Sequence, residues 1–293
     1  MEKTILYGNG VNLLGGGPSW NKLLQDISKK SLLPPIQSNT LKYEYIILPQ
    51  KETTNVPVVT SRGQRIITSD GKRLVFGVNT ELNMKSTLAR KLKELTPSYF
   101  YDKLVELDAN NYITTNYELF LPQKFPVKLN GSSEKDLRYR HISIEIGGVC
   151  KTFWNIHGDT ESPKNIILGL SDYCQYVVQI DDYLNTKTAD SRKSWIDLLF
   201  NTEVHILGLA MANEEIDLWN VLTTRKRRRR HNSTECQNEI YYYAIQDDSF
   251  DSGKKELLKA LDVNVVDIEF DWSEKAYKKA YQRIFEKIKN KST

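Results

Sequence analysis

Cysteine is scarce: the 293 residues hold three, Cys150, Cys174 and Cys236. An odd, widely spaced set without a C-x-x-C pair builds neither a disulfide framework nor a four-cysteine zinc ribbon, and it points to a reducing cytoplasm. A strong charge of one sign is also missing. Lys and Arg number 41 against 37 Asp and Glu, a formal net charge of +4, too mild to announce a nucleic-acid binder from composition alone. No apolar run approaches the ~20 residues of a membrane span; the longest uncharged one lies around Ile206 to Ala212. The stretch from Met1 to Gly10 has no apolar core or cleavage site of a secretory signal, so cytoplasmic residence without a membrane is the expectation. No internal repeat is visible. What is present, 40% hydrophobic and 27% charged residues, is the composition of a folded chain rather than a disordered one. The length allows one large domain or two modest ones.

Thr4 to Tyr7 is a short apolar run that breaks into Gly8-Asn9-Gly10, as a buried strand ending in a tight turn does. Ser19 then caps a helix in which Trp20, Leu23, Leu24 and Ile27 fall at i, i+3, i+4, i+7. Strand, glycine turn and helix form the first half of a nucleotide-binding βαβ unit. Residues 32 to about 83 interrupt this pattern: Tyr43 to Leu48 reads as a strand, and Arg65–Thr68, Ser69–Lys72 and Arg73–Val78 as strand, turn, strand, which predicts a β-rich insertion. Helical spacing returns near Leu88 to Leu95 and again after Thr96-Pro97. Tyr112 to Tyr117 reads as a strand with a polar end, and Gly131 to Glu134 as a loop. Arg138–Ile146 with Cys150–Ile156 reads as a hairpin turning at Gly147-Gly148. Val204–Leu207, Glu239–Ile245 and Val263–Phe270 are further strands, with helices carrying Ile216, Trp219 and Leu222, then Lys254–Leu261. A last amphipathic helix at about 273–290 is capped by Ser273, with Tyr277, Ala280, Ile284 and Ile288 on its apolar side. Strands alternating with helices predict one α/β, Rossmann-like domain spanning 1–293, a mostly parallel sheet with helices on both faces.

Ligands of such sheets lie beyond the carboxyl ends of the strands. Four stretches qualify: Gly8-Asn9-Gly10-Val11-Asn12, Thr114-Thr115-Asn116-Tyr117-Glu118, Ile156-His157-Gly158, and Gly208-Leu209-Ala210-Met211. Each has an ordinary structural alternative. Gly-x-Gly serves many tight turns, and Leu13 stands where the third glycine of the dinucleotide fingerprint belongs. Asn is common in turns. A lone His is more often a satisfied histidine than a catalyst, and Gly208 can simply relieve crowding between strand and helix.

Taken in order, the four stretches resemble the sirtuin-like (silent information regulator) family. Gly8 to Asn12 followed by Pro18-Ser19-Trp20 is similar to its G-A-G-x-S start. Thr114 to Glu118 resembles its T-Q-N-x-D or T-T-N-Y-D strand end, and His157-Gly158 its catalytic histidine and glycine. Gly208, Leu209 and Met211, with an acidic helix start after them, resemble its late strand end. The likeness spans roughly residues 1–30 and 96–225. Asn9, Asn12 and Glu118 depart from the usual Ala, Ser and Asp. The zinc-binding cysteines of the family's protein deacylases have no counterpart, so the resemblance is to the zinc-free branch, NAD+-hydrolysing effectors of bacterial anti-phage defence.

The resemblance implies that Asn116 and His157 are catalytic. It implies NAD+ contacts at Gly8, Asn9, Gly10, Val11, Asn12, Trp20, Thr114, Thr115, Tyr117, Glu118, Gly158, Gly208, Leu209 and Met211, with no metal. It further implies control by homo-oligomerisation or by a partner such as an ATPase or nuclease, and a role in abortive infection. The chemistry is compatible. Cleavage of the nicotinamide–ribose bond has an oxocarbenium-like transition state and a charged leaving group. It therefore needs ribose positioning and a base rather than a strong acid. Asn116 can orient a hydroxyl or water, and His157, with an ordinary pKa near ~6.5, can accept a proton. Backbone N–H groups of the first turn can hold the pyrophosphate.

Arg225-Lys226-Arg227-Arg228-Arg229-Arg230 is the loudest charge feature. It reads either as a solvated helix end or as a contact to nucleic acid or another anionic partner. Three rivals to the hydrolase therefore stand: an NAD+ or ADP-ribose sensor that does not cleave, a protein deacylase, and a nucleic-acid binder using the arginine run.

Overall fold

The computed structural model describes residues 1–28, 33–48, 78–132, 134–185, 192–231, 236–247, 251–273 and 275–291. In chain order the elements are β1 (Lys3–Tyr7), α1 (Gly10–Leu13), α2 (Trp20–Ile27), α3 (Asn39–Ile47), α4 (Val78–Lys93), α5 (Phe100–Val105) and β2 (Asn111–Thr114). Then come α6 (Phe120–Gln123), β3 (Asn130–Gly131), β4 (Ile142–Ile146), β5 (Val149–Asn155), α7 (Leu170–Asn185), α8 (Trp195–Asn201) and β6 (Glu203–Leu207). The chain closes with α9 (Ile216–His231), β7 (Ile240–Ile245), α10 (Ser252–Ala260), β8 (Asn264–Ile268) and α11 (Ala276–Lys291).

One sheet of order β3-β4-β5-β2-β1-β6-β7-β8 organises these elements. From β5 to β8 every neighbouring pair is parallel, and β3, β4 and β5 are joined antiparallel at one edge. Counted along the chain, the six parallel strands run third, second, first, fourth, fifth, sixth, the doubly wound Rossmann order, whose winding reverses beside the first strand. The fold is α/β and Rossmann-like.

The central strands β1, β2 and β6 are buried on both faces, so their side chains alternate between two cores rather than between core and water. On β1, Leu6 joins Trp154, Ile206, Trp195 and Val221 under α7–α9, while Ile5 and Tyr7 join Tyr112, Phe153, Phe100 and Phe285 under α5 and α11. Tyr241, Tyr242 and Tyr243 divide between the faces in the same way, as strand periodicity predicts. Each such Leu, Ile or Phe contributes about 1.5–3 kcal/mol by leaving water. A third cluster joins α2, α3 and α4 through Leu24, Tyr43, Leu88 and Leu92. No helix of the described residues is long and apolar enough to cross a membrane.

Several local expectations change. The stretch read as a strand from Tyr43 to Leu48 is helical as far as Ile47: Ser38 accepts from the Leu41 N–H at the start of α3, and Tyr43 is fully buried against α2 and α4. Contacts with two helices override the β preference of its Tyr and Ile residues. The strand, turn and strand expected over 65–78 lie outside the described residues except for Val78, which begins α4. Gly131, expected to open a loop, joins Asn130 in a short edge strand. On α11 the apolar stripe is Ala276, Ala280, Tyr281, Ile284, Phe285 and Ile288, whereas Tyr277 is exposed. The basic run forms the C-terminal turns of α9, at the helix end, as expected.

Candidate active site at the strand ends

The turn after β1 is locked to the turn after β6. Gly10 N donates to Gly208 O at 2.9 Å and Gly8 N to Leu207 O at 3.2 Å. A Cβ on Gly8 meets Gly208 O at 2.7 Å, and one on Gly10 meets Gly208 Cα at 2.8 Å. The glycines are therefore explained by close backbone approach. Val11, Asn12 and Leu13 also donate their N–H groups within this turn, so these donors are already engaged. Val11, Leu209 and Met211 are buried in the cores. Met211 adopts φ 47° and Gly208 φ 62°; a left-handed conformation is strained for a long side chain such as Met211.

Six of the expected residues, Asn9, Asn12, Trp20, Asn116, Tyr117 and Glu118, line one crevice at the carboxyl ends of β1 and β2, with Pro18, Leu23, Leu92 and Leu95. One wall is polar and buried. Asn12 Nδ2 donates to Glu118 Oε1 at 2.9 Å and to Asn9 Oδ1 at 3.1 Å. The Tyr101 hydroxyl lies 2.7 Å from both Asn12 Oδ1 and Glu118 Oε1. Burial, with the Glu118 charge, holds the Tyr101 phenol well above its ordinary pKa, so it stays a donor. The other wall is apolar, with Trp20 meeting Tyr117 edge-on at 5.2 Å.

Asn116 is 4% exposed. Its amide stands close enough to the Tyr101 hydroxyl to pull that phenol's pKa down against the effect of burial, yet Nδ2 is buried with no full hydrogen bond among the described residues. An unsatisfied buried donor costs about 1–3 kcal/mol, and such groups call for a functional explanation. The supporting loops hold the backbone firmly. Thr114 Oγ1 donates to Tyr7 O at 2.9 Å and accepts from Asn116 N at 3.1 Å. Asn155 Nδ2 donates to the carbonyls of Asn116 and Glu118 at 2.9 and 3.1 Å. Thr115 is buried beside them. The enclosed part of the crevice measures about 10 Å³, room for about one water, so a larger ligand requires the Trp20–Leu92 wall to part from Asn116.

His157 is placed elsewhere. It is 2% exposed and lies on the α7–α9 side, its Nε2 2.7 Å from Asp217 Oδ2 and its Nδ1 3.3 Å from the Tyr173 hydroxyl. Gly158 after it has φ 88° and packs on the Asn165 carbonyl. Burial lowers the imidazole pKa, but the Asp217 charge and hydrogen bond, with the Glu215 charge, outweigh it and hold the group above its ordinary value. Glu215 itself is pushed up to about 7: burial and the Asp217 and Glu214 charges exceed the attraction of His157.

His157, Glu215 and Asp217 bring one potential ligand atom each within 4.8 Å of one another. The direct 2.7 Å His–Asp contact is a hydrogen bond already made, while Glu215 Oε2 and Asp217 Oδ1 are buried with no partner among the described residues, so the trio holds one made hydrogen bond and two unused carboxylate oxygens. Asp217, Glu215, Tyr173 and Tyr101 are functional candidates that the sequence reading missed. Acidic residues opening a helix after Met211 are the only local signal, and acids in a first turn have an ordinary explanation in the helix dipole.

The basic run is largely used internally. Arg225 is fully buried; its Nε donates to Asn238 Oδ1 at 3.1 Å, and Nη2 bonds the Asn238 carbonyl. Lys226 pairs with Asp262 at 2.6 Å, Arg229 lies 4.0 Å from the same carboxylate, and Arg228 bonds the Leu184 carbonyl. Arg227 and Arg230 are exposed. Compared with known protein families and with curated proteins, the chain matches none.

Proposed function

We propose that the protein hydrolyses NAD+ to ADP-ribose and nicotinamide. The observation that carries this reading is the buried, unpartnered Asn116 amide facing a crevice with one carboxylate-and-amide wall and one aromatic wall. A ribose needs the first and a base or nicotinamide ring the second. The Rossmann strand order and the resemblance to zinc-free sirtuin-like effectors support the same reading.

In this mechanism Asn116 Nδ2 donates to a ribose hydroxyl or to the attacking water. Glu118 and Asn12, preset by Tyr101, accept from or donate to the ribose diol. The C1′–N1 bond breaks with its electron pair passing to nicotinamide. Water adds to the oxocarbenium carbon, and its proton passes to a base, for which His157 is the candidate. A role in anti-phage defence, with activity restrained by self-assembly or a partner, belongs to the same proposal.

Nicotinamide release measured with native protein and Asn116→Ala is the test. The variant should keep its melting temperature and lose at least about 10²-fold in rate, the scale of a lost positioning or proton-transfer group. Normal turnover would refute the assignment. One observation favours a second reading, binding without cleavage: His157 is sealed against Asp217 rather than lining the crevice. NAD+ affinity by calorimetry with no nicotinamide released would select it.

A further inference from the structure

The His157 cluster has a directional logic. A carboxylate oxygen can only accept, so the 2.7 Å contact with Asp217 Oδ2 requires the proton of a neutral imidazole to sit on Nε2. Nδ1 then carries the lone pair, and the Tyr173 hydroxyl 3.3 Å away is oriented to donate to it. The surroundings leave little freedom for another arrangement. Asp217 is fully buried and stands in the first turn of the 16-residue α9, where the helix dipole favours negative charge. The Tyr173 and Tyr176 rings of α7 pack edge-on against the imidazole at 5.2 and 6.4 Å.

We propose that Asp217 is a positioning residue that holds His157 as the Nε2–H tautomer, so that Nδ1, on the Tyr173 side, is the nitrogen that takes up a proton. The destination of that proton rests on the hydrolase reading, in which the attacking water loses it; the tautomer does not. The groups facing the imidazole are Asp217 of α9, Glu215 in the turn before it, and Tyr173 and Tyr176 of α7, with Glu214 within electrostatic reach of Glu215 and Tyr173. Of these, Asp217 and Glu215 oppose the effect of burial and favour the protonated ring. Tyr173 lies within electrostatic reach of Tyr117, which lines the crevice.

Imidazole ¹⁵N spectra of the full chain, recorded across pH 5–9, test this directly. His157→Ala identifies the relevant signals among those of the four histidines. Native protein should show the Nε2–H tautomer of His157 and a titration point above that of a free imidazole. In Asp217→Asn the amide donates to Nε2, the tautomer should invert to Nδ1–H, and the titration point should fall by at least about one unit. NAD+ hydrolysis should drop roughly 10³–10⁴-fold, the scale seen when the Asp of an Asp–His pair becomes Asn, with NAD+ affinity changed less than about threefold.

An Nδ1–H tautomer in native protein overturns the proposal, as does an Asp217→Asn variant with unaltered tautomer and titration. If that variant does not fold, the native spectrum decides alone: Nε2–H with a raised titration point upholds the proposal and Nδ1–H refutes it. The predicted tautomer in a native protein that releases no nicotinamide would remove the hydrolase reading and leave the assignment of Asp217 standing.

Discussion

Replacing Glu215 by Gln tests how poorly the carboxyl beside His157 is solvated. Its Oε2 is sealed from water without a hydrogen-bond partner among the described residues, although the residue as a whole is partly exposed. Burial raises its pKa; the His157 imidazolium opposes this, and Asp217 and Glu214 add to it, for a result of about 7 against an ordinary 4.5. Between those values the native state holds a proton that the unfolded chain has already lost, so stability is present below about 4.5 and drains away as pH rises through about 7. At about 1.4 kcal/mol per pKa unit the interval corresponds to roughly 3 kcal/mol, reduced to about 2–3 by solvent at the exposed part of the side chain. Glutamine has nothing to ionise. Thermal and urea melts of native protein and Glu215→Gln from pH 4 to 8 should diverge steadily. The variant should gain about 2–3 kcal/mol relative to native across the window, on the order of 3–5 °C in melting temperature at pH 8. Parallel pH profiles, or a variant that loses ground at pH 8, would refute the picture of a strained buried acid.

Two further expectations concern stability. Arg225→Ala should cost about 2–4 kcal/mol, because it leaves a cavity and strips partners from Asn238, whose amide also bonds the Leu199 and Thr202 carbonyls at 3.0 and 2.7 Å. Arg227→Gln with Arg230→Gln should stay within about 0.5 kcal/mol, and a chemical melt of both variants separates the cases. Gly10→Ala should cost about 1–3 kcal/mol through its collision with Gly208, measured the same way; a neutral result would mean the β1 and β6 turns are not held as tightly as their contact distances indicate.

Much of this architecture is legible because its signals are local and repeated. The apolar run of β1 breaking into a glycine turn, the Ser19 cap of α2 and the Gly147-Gly148 hairpin each specify geometry within a few residues. The misread parts depend on partners remote in sequence. Tyr43 to Ile47 carries a strand's residue types but becomes helical where two other helices cover it. Arg225 reads as one of six solvated cations, yet Leu218, Val221, Leu222 and Arg225 follow i, i+3, i+4, i+7, which places the guanidinium on the buried stripe of α9; helical spacing could have revealed it. The crevice is half legible. Asn12, Asn116 and Glu118 stand out as polar residues at strand ends, but Tyr101, which unites them, looks like any core aromatic of α5. His157 was visible and its partner was not, because Asp217 lies 60 residues away and nothing in a sequence specifies which of many acids will face a given imidazole.

The central position of β1 also has a consequence in time. Its flank opposite β2 is completed only by β6, in a register that pairs Lys3 with Glu203 and Tyr7 with Leu207 and that is pinned by a hydrogen bond between the Thr4 and Thr202 hydroxyls at 2.6 Å. A ribosome adding about 5–20 residues per second leaves roughly 10–40 s between the two strands, during which an apolar strand waits with one edge open. The turn bearing Gly10 cannot settle against Gly208 before then, and Asp217 is made later still. The pairing of the two turns and the His157–Asp217 contact therefore form only after α9 has been made, and a nascent chain carries the exposed strand long before it carries either.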